Sequence, residues 1–143
     1  MSGRDWRSFG RFHTKLYRML GGRLVGSVGG GRKVLLLTTL GRKSGLERTS
    51  PLVYMPHEGS FIVYASNGGK ESPPAWWLNL QSRPEARVQI GRAFHDVTAR
   101  ALPEDEYALV WPHAEAYNGH WRDYRKNVKR HIPLIALDPT TLS

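Results

Sequence analysis

The chain has no cysteine among its 143 residues. That excludes disulfides, thiolate nucleophiles, iron–sulfur clusters and cysteine-based zinc sites together, and it fits a reducing compartment. No apolar run approaches the ~20 residues a membrane-spanning helix needs. The N-terminus also lacks the apolar core and cleavage site of a secretory signal. The expected location is therefore cytoplasmic. Acids are scarce beside bases: 12 Asp and Glu stand against 21 Lys and Arg, a net charge of +9. The excess is uneven, since residues 1–33 carry +7 and residues 34–143 only +2. A basic arm of this kind meets nucleic acid, anionic lipid or an acidic partner.

Other absences narrow the chemistry. The six histidines, His13, His57, His95, His113, His120 and His131, show no H-E-x-x-H or comparable ligand spacing, so no metal is expected. There is no Gly-x-Ser-x-Gly elbow, and no spacing points to paired carboxylates.

Residues 5–20 read as a helix. At ~100° per residue, Trp6, Phe9, Phe12, Leu16 and Leu20 fall in one arc. Arg4, Arg7, Arg11, Lys15 and Arg18 fall opposite. Two readings stand side by side. In one, the helix packs on its own domain and solvates its basic face; in the other, residues 4–20 lie on anionic lipid at the inner face of the plasma membrane. Nucleic acid is the weakest reading, because the body is nearly neutral. Gly21-Gly22 ends the helix, and "GSVGGGR" (26–32) is a joint. This divides the chain into a basic arm, 1–32, and a main domain, 33–143.

In that domain "KVLLLTTL" (33–40) predicts a strand buried on both faces. Further strands are expected at 49–55, with Pro51 at an edge or bulge, and at 61–66, after a turn over 57–60. Ser72 with Pro73 predicts the N-cap and first residue of a helix over 73–82. Strands follow at 86–91 and 95–102, joined around Gly91-Arg92. Pro103 and the acids 104–106 open a helix expected to break or kink near Pro112 and continue over 114–130. The last strand is 132–139. About six strands with three or four helices, and no βαβ alternation among the first strands, predict a mainly β (α+β) domain: a small antiparallel barrel with flanking helices.

Three features converge on a ligand. "TTLGRKSGLERT" (38–49) lacks the Gly before Lys-Ser that a P-loop requires, yet Arg42, Lys43, Ser44, Gly45 and Arg48 make a good cradle for phosphate or carboxylate. Ser66-Asn67-Gly68-Gly69 ends a strand with open backbone. Trp76-Trp77 and then Tyr117, Trp121 and Tyr124 supply flat rings, the last three at the spacing of one helix face; a basic hairpin and a core stripe are the plainer alternatives. Anion grips beside planar rings suit a nucleotide or flavin-like cofactor.

"TTLGRKSGLERTSPLVYM", "YASNGG", "PAWWLNLQSRPEARVQI" and "IPLIALDP" closely resemble, in order and spacing, the deazaflavin-dependent nitroreductase and quinone reductase family, which is actinobacterial and uses coenzyme F420. The resemblance implies an FMN-binding-like split β-barrel and an F420H2-dependent oxidoreductase that passes a hydride to a quinone, a nitro compound or another activated conjugated acceptor. It implies that Arg42, Lys43, Ser44, Gly45, Leu46, Glu47 and Arg48 hold the phosphate and polyglutamate tail. Ala65, Ser66, Asn67, Gly68 and Gly69 would border the deazaflavin ring, with Trp76 and Trp77 beside them. Tyr124 and then Tyr117 match tyrosines on the substrate side and are the candidate proton donors. Trp121 and Val53 stand on that side where nitroreductase members have tyrosines, which weakens nitro-compound reduction and leaves cofactor binding intact. The rival readings are an FMN- or haem-binding split barrel and a non-catalytic cofactor or nucleic-acid binder. The oligomeric state is left open.

Overall fold

The computed structural model describes residues 33–140; the predicted helix 5–20 and joint 26–32 lie outside them. Six strands, β1 (Lys33–Leu40), β2 (Glu47–His57), β3 (Ser60–Tyr64), β4 (Glu85–Ile90), β5 (Ala93–Ala101) and β6 (Leu134–Pro139), close into a barrel in the order β1–β2–β3–β6–β5–β4. Every neighbouring pair is antiparallel, β4 on β1 included. Helix α1 (Ala75–Ser82) joins β3 to β4 after a 3-10 turn at Asn67–Gly69; α2 (Glu104–Tyr117) and α3 (Gly119–Asn127) join β5 to β6. The predicted class, an antiparallel split barrel with flanking helices, is what the chain forms.

The period-2 geometry of strands explains why there are two cores. Leu35, Leu37, Val63, Val88, Val97, Ile135 and Leu137 point into the barrel, which Trp76 and Leu80 of α1 also join. The alternate residues Ile62, Tyr64, Leu134 and Ala136 lie under Tyr107, Val110, Trp111 and Ala114 of α2 and Trp121 of α3. Burying each large apolar side chain stabilises by about 1.5–3 kcal/mol. β1 is buried at every position except Lys33, its threonines Thr38 and Thr39 included.

The barrel is split at β2. Residues Glu47–Tyr54 pair with β1, but only Met55, Pro56 and His57 pair with β3. Pro51, which has no N–H to give, falls in the stretch laddered on one side only.

Several expected boundaries move. β2 runs 47–57 rather than 49–55, because the turn closes tightly at Gly41–Leu46. β3, β4, β5 and β6 shift by one or two residues. The first helix starts at Ala75, not Pro73. A residue before proline is held extended, Pro74 is itself extended at φ −70°, ψ 149°, and Ser72 caps nothing: its carbonyl accepts Asn67 Nδ2 instead. The second helix does not break at Pro112, which sits exposed within α2 while its neighbours Trp111 and Ala114 are buried. Packing of that face offsets the missing hydrogen bond. The break is at Asn118, extended at φ −143°, whose N–H closes α2 on the Ala114 carbonyl and whose Oδ1 caps α3 by accepting from the His120 amide. The expected continuous helix 114–130 is thus two helices, and Tyr117 is on a different helix from Trp121 and Tyr124.

Candidate functional site

Two adjoining cavities lie along the split. The first, about 430 Å³, is lined by Gly41, Arg42, Lys43, Ser44, Arg48, Thr49, Ser50, Ala75, Trp76 and Asn79. The second, about 320 Å³, is lined by Ser50, Leu52, Tyr64, Ser66, Asn67, Gly68, Pro74, Ala75 and Trp76. Ser50, Ala75 and Trp76 border both. They form one groove with a cationic end and a strand-end end.

The cationic end is a turn held in shape by its own backbone. The Gly41 amide donates to the Leu46 carbonyl and the Gly45 amide to the Gly41 carbonyl, both at 2.8 Å. Gly45 has φ +72°, where a side chain is strained. Ser44 Oγ accepts the Leu46 amide at 3.1 Å, which leaves its own hydrogen for an incoming anion. Asn79, 3 % exposed, pins the turn from α1: Oδ1 accepts from Arg42 N at 3.1 Å and Arg42 Nη1 at 3.3 Å, and Nδ2 donates to Thr39 Oγ1 at 3.0 Å. No carboxylate lines this cavity among the described residues, and three cations do. That donor set fits a polyanion.

The other end is made of backbone. Asn67, Gly68 and Gly69 take φ +52°, +64° and +87° in succession. A Cβ on Gly69 would stand 2.9 Å from Tyr124 Cδ1, so glycine there lets the tyrosine ring of α3 lie on the loop. Nothing lies within 4 Å of a Cβ placed on Gly68. The Tyr64 hydroxyl sits 3.3 Å from that of Tyr107, which donates to the Ile132 carbonyl at 3.0 Å. Burial first, then the hydrogen bond with Tyr107, pushes the Tyr64 hydroxyl far above the usual tyrosine range, and burial also raises Tyr107. Both stay protonated at neutral pH.

The residues singled out in the sequence fall in three groups. Arg42, Lys43, Ser44, Arg48, Ser66, Asn67, Gly68 and Trp76 line the groove. Gly45, Leu46, Glu47, Ala65, Gly69 and Trp77 do not line it; Leu46 is 59 % exposed, Ala65 is fully buried, and Trp77 packs against the barrel core. Tyr117, Trp121, Tyr124 and Val53 cluster on the α2–α3 side. Trp121 is 4 % exposed with its ring 5.7 Å from Tyr64, so it packs more than it lines. The Tyr117 hydroxyl accepts the Lys33 amide at 2.8 Å. Tyr124 stacks with His120 at 6.4 Å, and its hydroxyl has no hydrogen-bond partner among the described residues. Sequence reading missed Asn79, Tyr64 and Arg130. Asn79 was detectable as a polar residue three places from Trp76 on an apolar helix face; Arg130 carried no local signal. No group of three His, Asp or Glu that could hold a metal occurs among the described residues.

Comparison with known proteins decides the class. Residues 9–139 match the profile described as F420H(2)-dependent quinone reductase. An F420H(2)-dependent quinone reductase of Mycobacterium tuberculosis is 32 % identical over 130 residues, which cover 89 % of this chain and 87 % of that protein. The chain belongs to the F420H(2)-dependent quinone reductase family. It is an oxidoreductase by that membership, and the family's cofactor is coenzyme F420. Among solved structures, an F420-H2 dependent reductase (FDR-A) superposes with TM-score 0.67 at 32 % identity, covering 74 % of this chain and 94 % of its own. A structure described as a domain-swapped dimer superposes with TM-score 0.68 at 29 % identity, covering 88 % and 99 %.

Proposed function

We propose that the protein passes a hydride from reduced coenzyme F420 to a quinone, with the acidic tail gripped at the cationic end of the groove and the ring lodged at the strand end. The observation that carries this is the single groove with two chemically distinct ends meeting at Trp76. The residues fit the cofactor: three cations and a free hydroxyl hydrogen suit the phosphate and glutamates, while the flat indole and the open space over Gly68 suit a planar ring.

Bound there, the reduced deazaflavin supplies the hydride, and the chain supplies binding, orientation and electrostatics. Arg42 enters pre-oriented by Asn79, so little side-chain freedom is lost on binding. Lys43 and Arg48 are exposed and add affinity that salt screens. Tyr124 is the better proton donor to a quinone oxygen as negative charge develops, because its hydroxyl is uncommitted among the described residues. Tyr117 already accepts the Lys33 amide and is the second candidate. Trp121 and Val53 back these rings from the α2–α3 core and shape the acceptor side. The division into an arm, 1–32, and a main domain, 33–143, is part of this reading; the described strands close the barrel among themselves. In this reading the arm, residues 4–20, rests on anionic lipid at the cytoplasmic face, where quinones dissolve. Among the described residues no helix is long and apolar enough to cross a membrane.

The test is fluorescence titration with oxidised F420, with FMN in parallel, followed by oxidation of reduced F420 by a naphthoquinone. Saturable F420 binding and quinone-dependent oxidation are expected; binding of FMN alone would refute the assignment. Co-sedimentation with anionic vesicles at low salt, lost on deleting residues 1–20, tests the arm.

A further inference from the structure

Arg130, in the connector between α3 and β6, is used by nothing in the mechanism above. Its Nη2 lies 3.1 Å from the Ala65 carbonyl oxygen and 3.2 Å from those of Ser66, Lys70 and Ser72. One nitrogen with two hydrogens is thus shared among four acceptors of a single loop. Next to it, the Lys129 amide donates to both oxygens of Glu71 at 3.2 Å, and Asn67 Nδ2 donates to the Ser72 carbonyl at 3.0 Å. Arg130 Nε is buried with no partner among the described residues, so the side chain accepts an unsatisfied group in order to stand there.

The loop it holds, residues 65–72, carries the three successive left-handed residues and borders the strand-end cavity. Its two glycines are as free to take other conformations, so an outside anchor is what selects this shape. Among the described residues there are no cis peptides, and in a trans peptide the carbonyl oxygen and the next N–H point in opposite directions. Drawing the Ser66 carbonyl to the guanidinium therefore turns the Asn67 N–H away from it. The charge also aligns with these peptide dipoles.

We propose that Arg130 is a positioning residue for the cofactor's ring: it clamps the 65–72 loop in the shape that receives the ring, independently of the tail grip around Arg42 and Lys43. This rests on the function proposed above. The clamp belongs to the connector that follows α3, and the ring of Tyr124 in α3 lies on Gly69, so the ring loop and the nominated proton donor are tied to one segment.

The experiment compares the unaltered protein with Arg130→Met and Arg130→Lys, using coenzyme F420 and tail-less 5-deazariboflavin as ligands. Arg130→Met should weaken both ligands by the same factor, about 10- to 100-fold, as loss of a charge-assisted hydrogen bond implies. Arg130→Lys, which keeps the charge without the fork, should fall between. Lys43→Ala should weaken F420 alone. In the cofactor-free protein, hydrogen exchange at the Gly69 and Lys70 amides, which donate to the Ser66 and Asn67 carbonyls, should quicken in Arg130→Met while β1 and β6 stay protected. If Arg130→Met does not fold, the same two readouts are taken from Arg130→Lys. A folded variant that binds tail-less deazariboflavin within about twofold of the parent, or leaves exchange at Gly69 and Lys70 unchanged, overturns the proposal. So does a loss confined to F420. Failure of the unaltered protein to bind either ligand overturns the functional reading and this inference with it, whereas normal parent binding with indifferent Arg130 variants overturns this inference alone.

Discussion

Asn79 offers a sharp test of the tail grip, because its two amide atoms do separable jobs. In Asn79→Ala the hydroxyl of Thr39, 1 % exposed, loses the Nδ2 donor 3.0 Å away and stays buried. Orphaning such a group costs about 1–3 kcal/mol. Arg42 is exposed, so water replaces its lost acceptor at little cost in stability. At roughly 4 °C per kcal/mol for a domain of this size, Tm should fall by about 4–12 °C. F420 affinity should also drop, because Arg42 is no longer held at the groove. Asn79→Asp separates the two effects. It keeps the acceptor for Arg42 and can accept the Thr39 hydroxyl, so stability changes less. It also places a negative charge in a cavity whose ligand is anionic. At about 6 Å and an effective dielectric of ~20, like charges repel by about 3 kcal/mol, which corresponds to ~100-fold weaker binding. Screening at the open mouth of the groove lowers this toward tenfold. The assay is thermal melting together with titration by F420 and by tail-less deazariboflavin. The reasoning predicts that Asn79→Asp weakens F420 and spares the tail-less ligand. Equal loss for both ligands would show that Asn79 serves the ring end or the barrel, not the tail, and an unchanged Tm in Asn79→Ala would show that Thr39 was never dependent on it.

Three further outcomes are expected. Tyr124→Phe should reduce quinone turnover by about 10²-fold or more with cofactor affinity unchanged, and full turnover in stopped-flow assays would end its nomination. Gly69→Ala forces a side chain to φ +87° with its Cβ 2.9 Å from the Tyr124 ring, so it should cost about 1–2 kcal/mol from the backbone alone and more from the displaced ring; a urea midpoint equal to the parent's would contradict the geometry. Burial raises the folded pKa of Tyr64 and Tyr107 above the ordinary value of 10.0. The native state therefore holds protons the unfolded chain has released, and stability present below about pH 10 is lost as pH rises beyond it. Urea midpoints from neutral pH upward should fall steeply there, and Tyr107→Phe should flatten the fall; a slope identical to the parent's would show that Tyr107 contributes nothing to it.

What the sequence disclosed follows from the range of the forces involved. β1 was legible because seven consecutive apolar or β-branched residues, Val34 to Leu40, suit a strand buried on both faces. The cationic turn was legible because its glycines and cations are contiguous. The break between α2 and α3 was misplaced because proline is a conspicuous signal and Asn118-Gly119 a quieter one. Pro112 removes one hydrogen bond, whereas Asn118 satisfies three backbone groups by bending the chain. No spacing rule links Arg130 to Ala65 or Asn79 to Arg42, since those contacts span 65 and 37 residues. They exist only once the barrel has closed and brought both connectors to the same side.

The split in the barrel is what turns these contacts into a site. Were β2 paired with β3 along its whole length, Ser50 and Leu52 would face a neighbouring strand and the groove they border would be filled. The short β2–β3 ladder leaves that edge to a ligand. The two ends are fixed from different elements: α1 bonds the cationic turn through Asn79, and the α3–β6 connector bonds the 65–72 loop through Arg130. Among the described residues the ends share only Ser50, Ala75 and Trp76 as walls. In the proposed function the chain works largely through placement, and the two proposed anchors, buried Asn79 and half-buried Arg130, stand on separate elements. In the proposed function the acceptor side, bordered by Tyr117 and Tyr124, is a third surface again. Changes there can alter which oxidised molecule is reduced without touching either anchor, because neither Asn79 nor Arg130 bonds to Tyr117, Trp121 or Tyr124.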